Sequence, residues 1–267
     1  MITSVHNSKV QWVRGLQARA RARRSDQAFV VEGVRLVEEA LASGWVPELV
    51  FYTEDLNERG QALVEVFQER GVQVESVSGN VMQAASDTQT PQGILAVLRL
   101  IALPLPDQVD FVFIPDGVRD PGNLGTILRT CAAAGVDAVF LPPGTVDPYS
   151  PKVVRAGMGA HFRLPILSLK WEEIIERLEV YGLRIYLAAP GEGRIFTLAD
   201  FGLPLALIVG GEAEGAGEVA QKLAGERVHI PMPGGMESLN AAIAGGVLLF
   251  EVVRQRTGGS SEPLDER

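Results

Sequence analysis

The sequence contains one cysteine, three histidines and no long apolar run. A single cysteine, Cys131, excludes a disulfide within the chain, and its apolar surroundings indicate a small core residue rather than a nucleophile. The histidines His6, His161 and His229 lack the spacing of metal ligands, so we expect no metal site. No apolar run approaches the roughly 20 residues of a membrane-spanning helix, and no signal segment is recognisable. We therefore expect a cytoplasmic protein without membrane contacts.

The chain also has no excess of positive charge. It contains 24 Lys and Arg residues and 33 Asp and Glu residues, which gives a net charge of −9. This balance excludes a protein that is coated with cations over its whole surface. The cations are nevertheless concentrated before the first acidic residue, Asp26, at Lys9, Arg14, Arg19, Arg21, Arg23 and Arg24. This cluster predicts contacts with RNA phosphates, although a solvated amphipathic helix explains it equally well.

The chain has 267 residues, and 46% of them are apolar. This length and composition are typical of a globular protein with one large or two medium domains. Strand-like and helix-like periods alternate and predict an α/β fold. In the first half we predict helices over residues 9–23, 34–43 and 58–70, and strands over 29–31, 48–52, 72–77 and 94–98. In the second half we predict strands over 111–114, 138–141, 184–188, 205–209 and 228–230.

The domain limits follow from a Pro-rich stretch near residue 103. We predict a smaller α/β domain over residues 1–102, a linker over 103–108 and a second domain over 109–256 with a mostly parallel sheet covered on both faces. A flexible tail is predicted over 257–267, where the sequence is first rich in Gly and Ser and then polar.

The most informative motif runs from Asp116 to Arg129, where a buried strand enters a Gly-rich turn and then a helix predicted over Leu124 to Ala134. Asn123 and Arg129 lie six residues apart in it. Long helical side chains lean toward the N-terminus of their helix, so the Arg129 guanidinium is expected to reach back over Gly125 to the turn. The alternative is that Asn123 caps the helix and Arg129 is a solvated surface charge.

Two further loops carry polar residues among glycines, from Gly210 to Gly217 and from Met232 to Asn240, and each follows an apolar strand. Loops at strand ends of an open α/β sheet converge on one crevice, so the three motifs predict a single site. The stretch Gly215 to Ala220 also has the spacing of a dinucleotide-binding turn, but the carboxylates around it would repel a pyrophosphate. A neutral or cationic ligand, such as a sulfonium, fits this loop better.

The last helix is predicted to begin near Leu239 with Ser238 as its N-cap. Asn240 is a mediocre helix former, and its amide beside the helix N-terminus would suit the orientation of a polar substrate group. Gly245 and Gly246 within this helix each cost about 1 kcal/mol against Ala, which predicts the close approach of another backbone.

The ordered set Asn-x-Gly-x-x-x-Arg, Gly-x-Glu-x-x-Gly and Ser-Leu-Asn resembles the SpoU (TrmH-type) family of RNA ribose 2′-O-methyltransferases, part of the SPOUT superfamily. Residues 147–160 are similar to members that act on ribosomal RNA, although many relatives have Ser at the position of Gly157. The first hundred residues resemble a substrate-binding domain through Phe29 to Gly33 with Arg35, and through Thr90 to Ala96.

This resemblance implies a trefoil-knotted α/β domain, a homodimer and S-adenosylmethionine as the cofactor, with no metal. It implies a catalytic set of Arg129, Asn123, Glu212, Ser238 and Asn240. Cofactor-binding positions would be Gly210, Gly211, Ile230, Met232 and Leu239. RNA-binding positions would be Arg14, Arg19, Arg21, Arg23, Arg24, Arg35 and Arg155.

The implied reaction is in-line transfer of a methyl group to a ribose 2′-hydroxyl. Arg129 would act either as the general base or as the group that stabilises the developing alkoxide. Ribosomal RNA, 23S rRNA in particular, is the expected substrate, and tRNA is the alternative. Two other classes compete with this interpretation: a non-catalytic RNA- or ribosome-binding protein of the same fold, and a nucleotide-dependent oxidoreductase.

Overall fold

The apolar runs of the sequence form two separate sheets, and each sheet belongs to its own structural unit. A computed structural model describes residues 1–212 and 215–258. One unit contains Met1–Ala102 and Asp147–Arg163, and the other contains Leu103–Val146 and the chain from Leu164 onward. The sequence places residues 147–163 in the domain 109–256, but their packing partners lie in the first unit.

The strands follow the predicted apolar runs closely. The strands are β1 Ala28–Glu32, β2 Leu49–Tyr52, β3 Gln73–Ser76, β4 Ile94–Arg99, β5 Phe111–Asp116, β6 Ala138–Leu141, β7 Ile166–Ser168, β8 Arg184–Ala188, β9 Arg194–Ile195, β10 Leu205–Gly210 and β11 Glu226–His229. In the first unit, β1, β4, β2 and β3 form a mixed sheet in that order, with only the β2–β3 pair parallel among the strands described.

The helices lie between these strands. The helices are α1 Ser8–Ala18, α2 Ala20–Asp26, α3 Val34–Ala42, α4 Glu58–Glu69, α5 Gly79–Ala85, α6 Pro121–Ala133, α7 Pro151–Gly157, α8 Trp171–Val180, α9 Glu218–Leu223 and α10 Ala241–Thr257. Short 3-10 turns lie at Ala160–Phe162 and Phe196–Leu198. None of the helices in the described ranges is long and apolar enough to cross a membrane.

The second unit contains the parallel sheet that the sequence predicts. Its order is β7-β6-β5-β10-β8-β11-β9, and every pairing among the described residues is parallel. Because β5 and β10 are neighbours in register, Asp116 lies opposite Gly210 at their carboxyl ends. Two of the three polar loops therefore begin side by side at the same edge of the sheet.

The prediction of one helix over residues 9–23 is wrong in one respect. The helix is interrupted at Arg19, so that the segment forms two helices, α1 and α2. The backbone of Arg19 is extended, which allows α2 to turn back. The guanidinium of Arg23 then donates to the carbonyl oxygens of Leu16 and Gln17 at the end of α1. These carbonyls have no partner within their own helix, so the contact completes the end of α1.

Two other helix starts also differ from the prediction. Helix α6 begins at Pro121, three residues early, because the Asp120 carboxylate accepts from the backbone N–H of Asn123 and Pro suits the first helical position. Helix α10 begins at Ala241 with Asn240, not Ser238, as its N-cap. It extends to Thr257, and the predicted tail from residue 259 onward lies outside the described residues.

Candidate active site

The three polar loops meet through a chain of side-chain hydrogen bonds. The Asn240 Nδ2 donates to the Asn123 Oδ1 at 3.1 Å, and the Asn123 Nδ2 donates to the Glu212 Oε1. These residues are separated by 117 and 89 positions in sequence, so the contact depends on the fold. The predicted convergence of the three motifs is confirmed for Asn123, Glu212 and Asn240.

Asn240 is held in place by its role at the helix terminus. Its Oδ1 accepts from the backbone N–H groups of Ala242, at 2.9 Å, and Ile243, at 3.3 Å. The side-chain oxygen is therefore committed to the helix, and the amide nitrogen is left to donate to Asn123. Capping and the site geometry thus depend on the same side chain.

A cavity of about 330 Å³ opens beside this network, at the carboxyl ends of β8, β10 and β11. Glu212 lines both the cavity and the hydrogen-bond chain. The lining includes all of the predicted cofactor positions, which are Gly210, Gly211, Ile230, Met232 and Leu239, and it includes Ser238. Its volume is within the range of small-molecule and cofactor sites.

Two glycines make this cavity possible because the backbone passes too close for a side chain. A Cβ at Gly210 would lie 2.2 Å from the backbone nitrogen of Ala216, and one at Gly211 would lie 2.3 Å from the carbonyl oxygen of Gly117. A side chain at Gly210 would distort the loop that follows β10, and one at Gly211 would push that loop away from the loop that follows β5. These two contacts explain why Gly is needed at positions 210 and 211.

Arg129 and Ser238 do not join the hydrogen-bond network. Arg129 is exposed in the third turn of α6, and its side chain makes no hydrogen bond or ion pair within residues 1–212 and 215–258. Ser238 is exposed and has no side-chain hydrogen bond in the same part of the chain. The reach of the Arg129 guanidinium toward Asn123 therefore stays a prediction.

Asp116 is a buried carboxylate at this site that the sequence analysis did not select. Its Oδ2 accepts from the backbone N–H of Gly217 at 2.6 Å, and its backbone carbonyl accepts from the Gly211 N–H at 2.8 Å. Burial raises the pKa of Asp116, and the Gly217 hydrogen bond opposes that rise. An acidic residue just past the apolar run Phe111 to Ile114, after Pro115, was the available signal.

The same contact explains why the dinucleotide-like spacing does not form a dinucleotide site. Helix α9 begins at Glu218, and the N–H of its N-cap Gly217 is already bound by the Asp116 carboxylate. A pyrophosphate at a Rossmann turn needs the free N–H groups of the helix N-terminus. Here a protein anion lies at this terminus.

The cavity also has a charged wall that the sequence analysis missed. Arg227 forms an ion pair with Glu192, and His229 Nδ1 lies 3.2 Å from the Glu192 carbonyl oxygen. A Cβ at Gly193 would lie 2.1 Å from the Arg227 carbonyl, so this loop packs directly on β11. Glu192, Arg227 and His229 all line the cavity. Nothing in their local sequence pattern indicated this proximity.

The predicted RNA-binding cations have different environments in the first unit. Arg23 is only 5% exposed and donates to the Asp147 carboxylate, so its assignment as an RNA contact is wrong. Arg155 pairs with Asp87 at 2.9 Å. The remaining predicted cations are exposed, and they are Arg14, Arg19, Arg21, Arg24 and Arg35.

In residues 1–212 and 215–258, no group of three His, Cys, Asp or Glu residues could hold a metal ion. Cys131 is buried, and burial raises the pKa of its thiol well above the ordinary value. Its environment is that of a core residue, as the sequence indicated.

Comparisons with known proteins agree with this architecture. The profile of the SpoU rRNA Methylase family matches residues 110–250, more than half of the chain, and that of the MRM3-like substrate binding domain matches residues 7–96. The chain is 32% identical to 23S rRNA (guanosine(2553)-2′-O)-methyltransferase RlmP of Bacillus subtilis, with 94% of this chain and 98% of the relative covered.

Solved structures resemble both units. An AdoMet-bound rRNA methyltransferase from Sinorhizobium meliloti is 31% identical, with a TM-score of 0.84 over 95% of this chain and 97% of that one. The SpoU methyltransferase AviRb from Streptomyces viridochromogenes, in complex with AdoMet, is 27% identical, with a TM-score of 0.86 over 96% of this chain and 100% of that one. The chain belongs to the SpoU rRNA methylase family.

Proposed function

We propose that this chain is an S-adenosylmethionine-dependent methyltransferase that modifies a ribose 2′-hydroxyl of ribosomal RNA, in particular 23S rRNA. The observation that carries the proposal is the hydrogen-bond chain from Asn240 through Asn123 to Glu212 at the edge of the cavity. The name of the Bacillus relative supports the substrate class, and the AdoMet-bound relatives support the cofactor. An rRNA substrate is also consistent with the expected cytoplasmic location.

The cavity residues fit S-adenosylmethionine by shape and by charge. Gly210 and Gly211 bring bare backbone to the cavity wall, and the absence of side chains there leaves room for an adenosyl group. The carboxylates of Glu192 and Glu212 face a cavity with Arg227 as a cation, and this balance favours a ligand with a positive centre. When bound, S-adenosylmethionine supplies an electrophilic methyl group on a sulfonium.

In this proposal the protein orients the ribose hydroxyl and stabilises the negative charge that develops on its oxygen. The Asn123 amide is fixed at both ends, by Asn240 and by Glu212, so it presents a defined edge to a ribose hydroxyl. Guanidinium groups keep their proton in proteins. We therefore assign to Arg129 the stabilisation of the developing alkoxide, while the 2′-hydroxyl proton is lost to water. Ser238, exposed at the cavity, completes the proposed set.

We also propose that the protein acts as a homodimer. Helix α10 exposes Ile243, Val247 and Phe250, with Leu239 just before it, at the spacing of one helical face. The exposed fractions are 55% for Ile243 and 50% for Phe250. Such exposure is unusual for large apolar residues that lie together on one helical face. A symmetric interface over this face would remove the apolar stripe from water.

The test is transfer of labelled methyl from S-adenosylmethionine to separated rRNA and tRNA from cells that lack the protein, followed by mapping of ribose methylation. We expect label at one 23S rRNA ribose. Arg129→Ala should lower the rate by about 10²- to 10³-fold, the loss typical for removal of one group that stabilises an oxyanion. Arg184→Ala, an exposed arginine of the same unit that pairs with Asp200, is the matched control.

The outcomes separate the competing functions. Label confined to tRNA would retain the reaction and overturn the substrate. No label in either RNA, with RNA bound tightly and S-adenosylmethionine not bound in calorimetry, would favour a non-catalytic RNA-binding protein. Equal rates for Arg129→Ala and Arg184→Ala would remove Arg129 from the catalytic set.

A further inference from the structure

A second cavity, of about 620 Å³, lies within the first unit and away from the predicted arginine cluster of α1 and α2. Its wall is formed by the start of α3, the segment after β2, the start of α5 and the residues before β4. The two sequence motifs that resembled a substrate-binding domain, around Arg35 and around Gly93, therefore meet at this cavity. Nothing in the proposed catalytic reaction uses it.

Glycines shape this cavity in the same way as in the catalytic unit. Gly33 and Gly93 both have left-handed backbone, with φ of 96° and 78°. A Cβ at Gly33 would lie 2.7 Å from Gln92 Oε1, and one at Gly93 would lie 2.6 Å from Thr53 Oγ1. The two glycines thus leave room for polar side chains to lie across the backbone at the cavity wall.

Several polar groups at the cavity have hydrogen-bonding capacity to spare. Among residues 1–212 and 215–258, the Gln92 amide and the Arg35 guanidinium form no hydrogen bond or salt bridge, and both side chains are exposed. Asn57 accepts from the Gly60 N–H through its Oδ1, which leaves its Nδ2 free to donate in the described structure. Arg59, in contrast, is paired with Glu38. The Arg59 hydrogen bond lowers the Glu38 pKa, and Arg35 acts on the same carboxylate only through its charge, which helps to lower that pKa. The cavity therefore offers a cation whose N–H groups have no hydrogen-bond partner in the described ranges, and amide groups that both donate and accept.

This combination selects one class of ligand. A small free anion would engage Arg35 and leave the amides without partners, and an apolar ligand would use neither the cation nor the amides. A nucleotide has one phosphate for the cation and a planar base whose edge both donates and accepts hydrogen bonds. The side chains of Leu56 and Met82 at the cavity offer an apolar surface to the base face. Specific RNA recognition is directed mainly at such unpaired, splayed-out bases.

We propose that this cavity binds an unpaired nucleotide of the RNA substrate, with Arg35 at a phosphate and the Gln92 amide at the edge of the base. This inference rests on the proposed function, because it requires RNA as the substrate. It adds a site for base identity in the first unit, where the arginines of α1 and α2 supply charge alone.

The test measures binding of short single-stranded oligo(A), oligo(C) and oligo(U) to the full chain at several salt concentrations. Gln92→Ala should weaken binding of the preferred sequence roughly 5- to 150-fold and remove the preference, with the salt dependence unchanged. Arg35→Ala should weaken all three sequences alike and reduce the slope of the salt dependence by about 1. Gln68→Ala and Arg70→Ala, exposed residues of the same unit outside the cavity, are the matched controls and should bind as the wild type does.

Three results would overturn the inference. If Gln92→Ala and Arg35→Ala bind RNA and methylate rRNA like their controls, the cavity is not an RNA site, although the proposed function stands. If nucleoside monophosphates bind the wild type as tightly as the oligonucleotides do, and Gln92→Ala abolishes that binding, the ligand is a free nucleotide. If the wild type binds S-adenosylmethionine but neither binds nor methylates RNA, the proposed function fails together with this inference.

Discussion

His161 lies fully inside the first unit, where only one of its ring nitrogens has a partner among the described residues. Its Nε2 is 2.7 Å from the Pro148 carbonyl oxygen, and its Nδ1 is buried without a hydrogen bond. A protonated ring would carry a buried charge and an unpaired N–H. Burial accordingly lowers the pKa of His161 from 6.5 to about 4, although the Pro148 contact and the Asp147 charge oppose the shift.

We predict that this histidine makes the first unit sensitive to mild acid. The folded-state pKa is depressed, so the unfolded chain binds the proton first, and stability that is fully present above pH 6.5 is lost as the pH falls toward 4. Between pH 7 and pH 5 the loss should be roughly 2 kcal/mol. Urea unfolding at both values measures it. His161→Gln should reduce the pH dependence, and His6→Gln, which changes an exposed histidine, should leave it unchanged. The same dependence in all three proteins would contradict the prediction.

Asp116 gives a second prediction, in the catalytic unit. Asp116→Ala would leave the Gly217 N–H without its acceptor, which should lower the free energy of unfolding by about 1 to 3 kcal/mol. Asp116→Asn retains an oxygen that can accept from Gly217 and avoids burial of a charge, so it should cost less. Denaturant unfolding measures both variants, and S-adenosylmethionine binding should weaken in the same order because Gly215 and Ala216 line the cavity. Equal losses for the two variants would show that the hydrogen bond is not the cause.

From the sequence alone, the chemical role of a residue is easier to predict than its burial. Residue type and spacing identify Asn123, Glu212 and Asn240 in the sequence, and the structure joins them. The sequence does not distinguish Arg23 from its exposed neighbours, because Arg23 is buried by a contact with Asp147, 124 positions away. A partner at that separation leaves no mark in the local pattern.

At the scale of elements, apolar periodicity located most strands and helices, but helix starts depended on competition between neighbouring caps. Ser238 and Asn240 are both good N-caps by type. Asn240 is the cap because its Oδ1 reaches two backbone N–H groups while its Nδ2 donates to Asn123. The hydrogen bond to Asn123 belongs to the tertiary structure. The sequence near the helix therefore could not show which of the two residues is the N-cap.

The packing of α10 gives a prediction that separates two adjacent glycines. A Cβ at Gly245 would lie 3.2 Å from the ring of Phe113, whereas one at Gly246 would be in ordinary contact with Thr130 at 3.8 Å. Gly246→Ala should therefore stabilise the protein by about 1 kcal/mol through helix propensity. Gly245→Ala should destabilise it by about 1 to 3 kcal/mol, because Phe113 is fully buried in β5 and must move.

Urea unfolding of the two glycine variants is the measurement, and each variant is the control for the other. A stabilised Gly245→Ala protein would show that α10 moves away from β5 at little cost. A destabilised Gly246→Ala protein would mean that the closest approach of α10 is at the other glycine.

At the scale of the whole molecule, the alternation of strands and helices indicated a parallel sheet, but the order of its strands was not readable. The order β7-β6-β5-β10-β8-β11-β9 places β5 beside β10, although about ninety residues separate them in the sequence. Likewise, residues 147–163 pack with the first unit although they lie within the span of the methylase profile. Both facts follow from long-range packing, which local propensity does not encode.

The exposed apolar face of α10 gives the last prediction, on assembly. If two copies pair over this face, a carboxylate at its centre would have to be buried against apolar side chains, which is costly. Ile243→Asp and Val247→Asp should therefore shift the protein from dimer to monomer in analytical ultracentrifugation. Val180→Asp, a change at an apolar residue that is 76% exposed on α8, is the matched control and should leave the dimer intact.

The same variants separate assembly from chemistry. Monomeric Ile243→Asp with unchanged methyl transfer would mean that each chain holds a complete site, whereas parallel loss of dimer and activity would mean that the site requires the partner copy. A wild-type monomer at all concentrations would contradict the proposed homodimer. The stripe lies on the helix whose N-cap is Asn240, so an interface there would hold the Asn240–Asn123 hydrogen bond next to the contact between copies. Pairing of two chains would then stiffen the site as well as cover the apolar face.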